Sequence, residues 1–149
     1  MPMVLKRGEN QSTGRSRGGL TTKVHMVTDG LGNPLHFLLS SGNMSDIRIA
    51  QNLLEPFDLS GKWILADKGY DSDKFADWIK VHGGIAVIPS RSSAKLARKI
   101  DWAVYKERHL IENLFQKLKN YRRFSTRYEK KALYFHAVVC LACILVWLL

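Results

Sequence analysis

The chain has few cysteines and few acidic residues. Its 149 residues include two cysteines, and 13 Asp and Glu stand against 23 Lys and Arg, which gives a formal net charge of +10. Cys140 and Cys143 have neither a second cysteine pair nor a histidine cluster beside them, which argues against zinc. We expect reduced thiols that act as small apolar residues. The positive charge favours a polyanionic partner, most commonly nucleic acid, although it also fits a basic, soluble surface.

The sequence also lacks a long apolar run. The longest, residues 137–149, has 13 apolar residues, whereas a membrane-spanning helix needs about 20. The N-terminus is polar and basic and has no apolar stretch of the kind found in a signal peptide. We therefore expect a cytoplasmic protein with no membrane partner, whose C-terminal helix packs on a single core.

Residues 105–119 predict a helix with a charged stripe. At 3.6 residues per turn, Tyr105, Glu112 and Lys119 fall within about 20° of one another, and Arg108 lies about 40° to the side. A carboxylate among cations suits phosphate chemistry with a bound metal. The alternative is an ordinary amphipathic helix with an i, i+4 pair between Arg108 and Glu112. The apolar face lies about 120° away and consists of Ile111, Leu114, Phe115 and Leu118.

A second carboxylate, Asp67, follows the apolar run Trp63–Ala66. The pattern predicts a short buried strand, a glycine-containing turn and an acid-capped helix over residues 72–82. Ligands of α/β proteins usually bind at the carboxyl ends of the strands. Asp67 and Glu112 together therefore form a candidate two-carboxylate metal site.

Further elements follow from the same patterns. We expect strands at 21–28, 34–39, 62–67 and 84–89, and helices at 47–57 and 129–149. Asp29 lies in a hairpin-turn signature, and Asp46 is expected to open a helix. Glu107 lies about 140° around the helix from Glu112 and cannot share its site. The four tryptophans are predicted to be core residues: Trp63, Trp78, Trp102 and Trp147.

These residues carry a resemblance to the DDE transposases of bacterial insertion sequences. The pattern Tyr105-x2-Arg108-x3-Glu112-x6-Lys119 and LADKGYDSD at 65–73 resemble their catalytic domain. GRSRGGLTTKVH at 14–25 and VTDGLGNPL at 27–35 are also similar to members of that family. The resemblance implies an α/β, RNase H-like mixed sheet flanked by helices. In that fold three acids hold two divalent metal ions, and the second and third acids correspond to Asp67 and Glu112.

The resemblance also implies partners and a cofactor. The metal would be Mg²⁺, two ions in the complete site, with Mn²⁺ as a substitute. The DNA partners would be terminal inverted repeats and target DNA, and the active form would be a homo-oligomer. The residues expected to contact DNA are Tyr105, Arg108, Lys119, Lys68, Arg15, Arg17, Arg122 and Arg123.

The first of the three acids is not found. In the resembling family it lies on a central apolar strand upstream of the GRSRGG-like segment, but here only MPMVLKRGENQST precedes Gly14. That stretch has one acid, Glu9, in a polar run. Residues 1–19 are therefore expected to be a flexible basic segment. Residues 20–149 are expected to be an incomplete catalytic domain that lacks the first central strand.

Three interpretations follow. The chain is the downstream half of a frameshifted or truncated transposase, active in metal-dependent cleavage and strand transfer only with an upstream-frame product or full-length partner. Alternatively, it is a catalytically inactive DNA-binding fragment or a regulator of the full-length enzyme. The third possibility is a degenerate remnant that does not fold.

Overall fold

The computed structural model describes residues 2–9, 22–41, 44–94, 96–129 and 131–149. These ranges contain five strands, six helices and two 3₁₀ turns. The strands are β1 (Met3–Glu9), β2 (Thr22–Thr28), β3 (Pro34–Ser41), β4 (Trp63–Ala66) and β5 (Ile85–Val87). The helices are α1 (Asp46–Leu54), α2 (Asp73–Val81), α3 (Trp102–Tyr105), α4 (His109–Lys119), α5 (Arg122–Ser125) and α6 (Ala132–Leu148). The 3₁₀ turns are Lys68–Tyr70 and Lys106–Arg108.

The strands form one mixed sheet in the order β3-β2-β1-β4-β5. Strand β1 pairs antiparallel with β2, and β2 pairs antiparallel with β3. On its other side β1 runs parallel to β4, and β4 runs parallel to β5. Helices cover both faces, and the predicted α/β class with a mixed, RNase H-like sheet is confirmed.

Each face of the sheet has its own apolar core, because side chains alternate along a strand. Leu5 of β1 and Ala66 of β4 pack with α1 and α2 on one face. Val4 and Leu65 pack on the other face with α4 and α6. The next residues in this alternation, Lys6 and Asp67, therefore belong to the face that α4 covers.

The first central strand, expected to be missing, is present. Met3–Glu9 forms β1 in the middle of the sheet, so the expectation of a flexible segment is wrong for these residues. Strand β1 lies beside the strand that ends at Asp67, since Leu5 lies opposite Ala66. The strand is not evident from the sequence because within β1 only three apolar residues precede Lys6, too few to show a period, and because tertiary pairing outweighs such local signals. Arg15 and Arg17 lie outside the described residues.

The turn between β2 and β3 confirms the role predicted for Asp29. Its Oδ1 accepts hydrogen bonds from the backbone N–H groups of Leu31 at 2.8 Å and of Asn33 at 2.9 Å. Gly32 has a φ of +86°, a left-handed conformation that favours glycine. Asp46 begins α1 as predicted, and its carboxylate also lies 3.3 Å from the ammonium of Lys23.

The C-terminal helix is only partly buried. In α6, Phe135, Val139 and Ala142 enter the core under α4. Much of its remaining surface is apolar and exposed, and no helix in the described ranges is long and apolar enough to cross a membrane.

The prediction that all four tryptophans are core residues is wrong. The exposed ones are Trp63, Trp102 and Trp147.

Candidate active site

Asp67 lies where β4 ends and is held in place by its own turn. It caps the 3₁₀ turn Lys68–Tyr70, and its Oδ1 accepts a hydrogen bond from the backbone N–H of Gly69 at 2.8 Å. The other carboxylate oxygen is not used in this cap. The predicted arrangement of a buried strand, a terminal aspartate and a capped helix is therefore what the structure shows.

Two arginines from the segment between β5 and α3, Arg91 and Arg98, fix the same turn from outside. Arg91 donates from Nε to the carbonyl of Lys68 at 3.2 Å and from Nη2 to the carbonyl of Gly69 at 3.1 Å. Arg98 Nη2 lies 2.6 Å from an oxygen of Asp71, just after the turn. These cations thus hold the backbone beside Asp67, while the side chain of Lys68 is exposed.

Helix α4 presents Glu112 beside the sheet. All four residues of the predicted apolar face are buried, so this side of the helix docks on the core as expected. Glu112 is 37% exposed and lies at the edge of that contact. Its Oε1 is 2.6 Å from Nη1 of Arg108, one helical turn earlier, which confirms the i, i+4 pair.

A second cation on Glu112 comes from the unpredicted strand. The ammonium of Lys6 lies 3.3 Å from the same Oε1. Because Leu5 pairs with Ala66 in parallel register, the next residues, Lys6 and Asp67, reach the same level of the sheet. The centre of the sheet therefore places a lysine, not an acid, beside Glu112 and level with Asp67.

Tyr105 completes the group. Its ring lies 5.5 Å from the guanidinium carbon of Arg108 and contacts Trp102 edge-on, with 5.6 Å between the ring centroids. Burial raises the pKa of the Tyr105 phenol; Arg108 opposes this rise, and the negative charges of Asp67 and Glu112 add to it. Both carboxylates thus influence the ionisation of one phenol.

The electrostatic balance at Glu112 favours its ionised form. Partial burial raises the pKa of the carboxyl, but the hydrogen bond and charge of Arg108 and the charge of Lys6 outweigh burial. The net result is a pKa below its ordinary value. Glu112 is therefore an anion that two cations already neutralise.

The donor set does not match the expected metal site. No three of the His, Cys, Asp and Glu side chains in the described ranges are close enough together to hold a metal ion. Asp67 and Glu112 supply two carboxylates. The side chain that β1 adds beside them is the ammonium of Lys6, which has no lone pair to offer a metal.

The remaining predicted DNA contacts fall into two groups. Lys119 is exposed and ends α4, and it follows Glu112 by two helical turns. Arg122 donates from Nε to the hydroxyl of Tyr128 at 3.1 Å, and Arg123 lies 3.9 Å from the carboxylate of Glu129. These two arginines therefore have intramolecular partners outside the Asp67 and Glu112 cluster.

Two residues of this region were not identified from the sequence. Lys6 needed the knowledge that β1 pairs with β4, which local patterns do not give. Trp102, which the sequence analysis predicts to be a core residue, is 61% exposed beside Tyr105. Its position directly after Asp101, which caps α3 through two backbone N–H groups, was the available signal, since the first residues of a helix are often exposed.

A family model described as the transposase DDE domain matches residues 4–147, which includes all of β1 except Met3. The chain is 41% identical over 133 residues to the assigned transposase of insertion sequence element IS6501 of Brucella ovis, covering 87% of this chain and 99% of that protein. It is 29% identical over 151 aligned residues to the assigned transposase of element IS402 of Burkholderia cepacia, covering 95% of this chain and 68% of that protein.

A solved structure shares the fold. A piggyBac transposase in a synaptic complex with hairpin DNA superposes with a TM-score of 0.66 at 10% sequence identity. The superposition covers 95% of this chain and 45% of the piggyBac chain, so the chain spans less than half of that protein.

Proposed function

Because this chain belongs to the transposase DDE domain family, we propose that it acts in DNA transposition by binding the terminal repeats and target DNA of an insertion sequence. Three features support this proposal: the family match over residues 4–147, the net charge of +10, and a row of cationic and aromatic side chains beside two carboxylates. Asp67 and Glu112 are the two acids that we assign to the catalytic site.

The proposed DNA surface is the phosphate stripe, which we define as Tyr105, Arg108 and Lys119. Arg108 pairs with Glu112 through Nη1, while its buried Nε has no hydrogen-bond partner within the described residues. A guanidinium has five N–H donors, so it can hold Glu112 and still donate to a phosphate oxygen. Lys119 is exposed and adds a point charge further along the same side of the helix. Lys68, exposed beside Asp67, extends this surface toward β4.

Metal-dependent cleavage needs more than this chain shows. The family generally uses divalent metal ions, and two Mg²⁺ ions, or Mn²⁺ in their place, require a third carboxylate beside Asp67 and Glu112. The residues in place do not fit such a pair of ions, because Lys6 stands in the third position. We therefore derive no cleavage step for the chain as it stands. Strand cleavage and transfer would need a further acid beside Asp67 and Glu112.

The contact between Lys6 and Glu112 favours one candidate over the other. A domain that keeps its fold and its cationic surface, but has an ammonium among its acids, suits DNA binding without cleavage. Such a product would compete with a complete transposase for the same DNA ends. We place this regulatory role first and the complementable enzyme second.

Binding can be measured by fluorescence anisotropy with a labelled DNA duplex at rising salt. Phosphate contacts make the logarithm of affinity fall linearly with the logarithm of salt concentration, by roughly 0.9 per neutralised phosphate. Lys119→Ala is expected to weaken binding and to reduce this slope by about one. Lys80→Ala is the matched control, because Lys80 is an exposed lysine in the last turn of α2, which covers the opposite face of the sheet.

The outcomes separate the candidates. Equal slopes for Lys119→Ala, Lys80→Ala and the unaltered protein would overturn the assignment of the phosphate stripe. Asp67→Asn is expected to bind DNA at least as tightly as the unaltered protein, because it removes a negative charge near the phosphates. The unaltered chain can also be incubated in Mg²⁺ with a plasmid that carries the insertion sequence. If it nicks the plasmid and Asp67→Asn does not, the regulatory role is contradicted and the enzymatic role is supported.

A further inference from the structure

We propose that Lys6 is a built-in counter-ion of the acid cluster, which we define as Asp67 and Glu112. Its ammonium takes the place of a metal ion and keeps divalent metal ions out of the cluster. The inference rests on the proposed role of Asp67 and Glu112 as the catalytic acids. It goes beyond that role in one respect. The chain retains the fold of its family, but the side chain of Lys6 keeps the site free of metal ions.

The register of strand β1 determines which of its residues faces the acid cluster. Leu5 and Ala66 are register partners in the parallel pair and share one core, whereas Val4 and Leu65 share the other core. Lys6 follows Val4 by two residues and so projects from the face that α4 covers. Its contact with Glu112 at 3.3 Å agrees with that orientation.

The position is also fixed from the other side of the strand. Lys6 lies opposite Met26 of β2, which is fully buried in the core under α4. The main chain of Lys6 is thus paired with β2, the residue before it is also paired with β4, and the Lys6 side chain is only 25% exposed. Because the strand cannot shift its register without turning Val4 into the wrong core, the ammonium is kept at the acid cluster.

Charge explains the expected effect on metal binding. Glu112 and Asp67 supply two negative charges, and Arg108 and Lys6 supply two positive charges, both of them in contact with Glu112. A divalent ion therefore meets a nearly neutral cluster instead of an acidic cluster, and the ammonium of Lys6 repels it. Mg²⁺ needs oxygen ligands at about 2.0–2.1 Å in a near-octahedral arrangement, which an ammonium cannot provide. Replacing Lys6 with aspartate would change the local charge by two units and add a ligand.

The experiment measures Mn²⁺ binding to the full chain without DNA, by electron paramagnetic resonance. We expect little binding to the unaltered protein and at least about tenfold tighter binding to Lys6→Asp, because the substitution replaces a charge that repels a divalent ion with one that attracts it. The gain should disappear in the double variant Lys6→Asp, Glu112→Gln. Binding to the unaltered protein as tight as to Lys6→Asp would overturn the proposal, and so would a gain that survives the loss of Glu112.

A second variant keeps the proposal testable if Lys6→Asp does not fold, as judged by circular dichroism. Lys6→Asn removes the ammonium and offers an amide oxygen, so it should bind Mn²⁺ severalfold more tightly than the unaltered protein. No gain in folded Lys6→Asn would count against the counter-ion. The DNA-binding assay is independent of the Mn²⁺ data. If the unaltered protein does not bind DNA but the Lys6 variants bind Mn²⁺ more tightly, only the proposed function is refuted. DNA binding without any Mn²⁺ gain refutes the counter-ion alone.

Discussion

Substituting Glu112 with glutamine tests the electrostatics of the cluster. The carboxylate has two cationic neighbours, at 2.6 Å and 3.3 Å, and glutamine would leave both without their counter-charge. Because Glu112 is 37% exposed, each pair contributes about as much as a surface salt bridge, 0.2–1 kcal/mol. The free energy of unfolding at pH 7 should therefore fall by about 1 kcal/mol.

The pH dependence of this loss follows from the lowered pKa of Glu112. A carboxyl whose pKa is lower in the folded than in the unfolded state stabilises the fold above its unfolded value, here 4.5. That contribution is lost as the pH falls through the folded pKa. The difference in unfolding free energy between Glu112→Gln and the unaltered protein should therefore be full at pH 7 and shrink below pH 4.5.

Urea unfolding at several pH values, followed by circular dichroism, measures this difference. Glu107→Gln is the matched control, because Glu107 is exposed and forms no ion pair within the described residues. It should change the unfolding free energy by less than about 0.5 kcal/mol. An effect of Glu112→Gln that is the same at all pH values, or no larger than that of Glu107→Gln, would refute the reasoning.

Three further predictions concern the scaffold. Gly32→Ala should destabilise the fold by more than Gly61→Ala, as measured by thermal melting. Both glycines have positive φ, but a Cβ at Gly32 would lie 3.2 Å from a neighbouring side chain, and at Gly61 nothing lies within 4 Å. Phe135→Ala should cost about 3–5 kcal/mol in urea unfolding, because Phe135 is fully buried and anchors α6; a loss under 1 kcal/mol would show that α6 is not docked. Burial, with a smaller contribution from Cys140, raises the pKa of the Cys143 thiol to about 11. In a Cys140→Ala variant, alkylation of Cys143 followed by mass spectrometry should therefore be slow at pH 8 and accelerate only in strong alkali, and fast labelling at pH 8 would contradict its burial.

The parts of the fold that the sequence predicted are those with a local period. Ile111, Leu114, Phe115 and Leu118 recur at helical spacing, and all four are buried in α4. The apolar run before Asp67 is long enough to mark β4 without any knowledge of its neighbours. Such elements can be read from the chain because the spacing of their apolar residues matches the geometry of a helix or strand.

The unpredicted parts depend on contacts between distant residues. Strand β1 has too few apolar residues to show alternation, and its place in the sheet comes from hydrogen bonds to β2 and β4. The contact between Lys6 and Glu112 joins residues far apart in the chain, so no spacing rule reveals it. Trp102 was misjudged for a related reason, since its exposure depends on where α3 begins relative to the core.

The most direct test of this account is hydrogen exchange of β1 in the full chain, measured by mass spectrometry on the peptide covering residues 2–9. The central position of β1 predicts that the amides of Val4, Leu5 and Lys6 are protected as strongly as those of β4, and exchange only through global unfolding. Exchange as rapid as that of an unpaired tail would show that β1 is not in the sheet. The placement of Lys6 at the acid cluster would then be wrong.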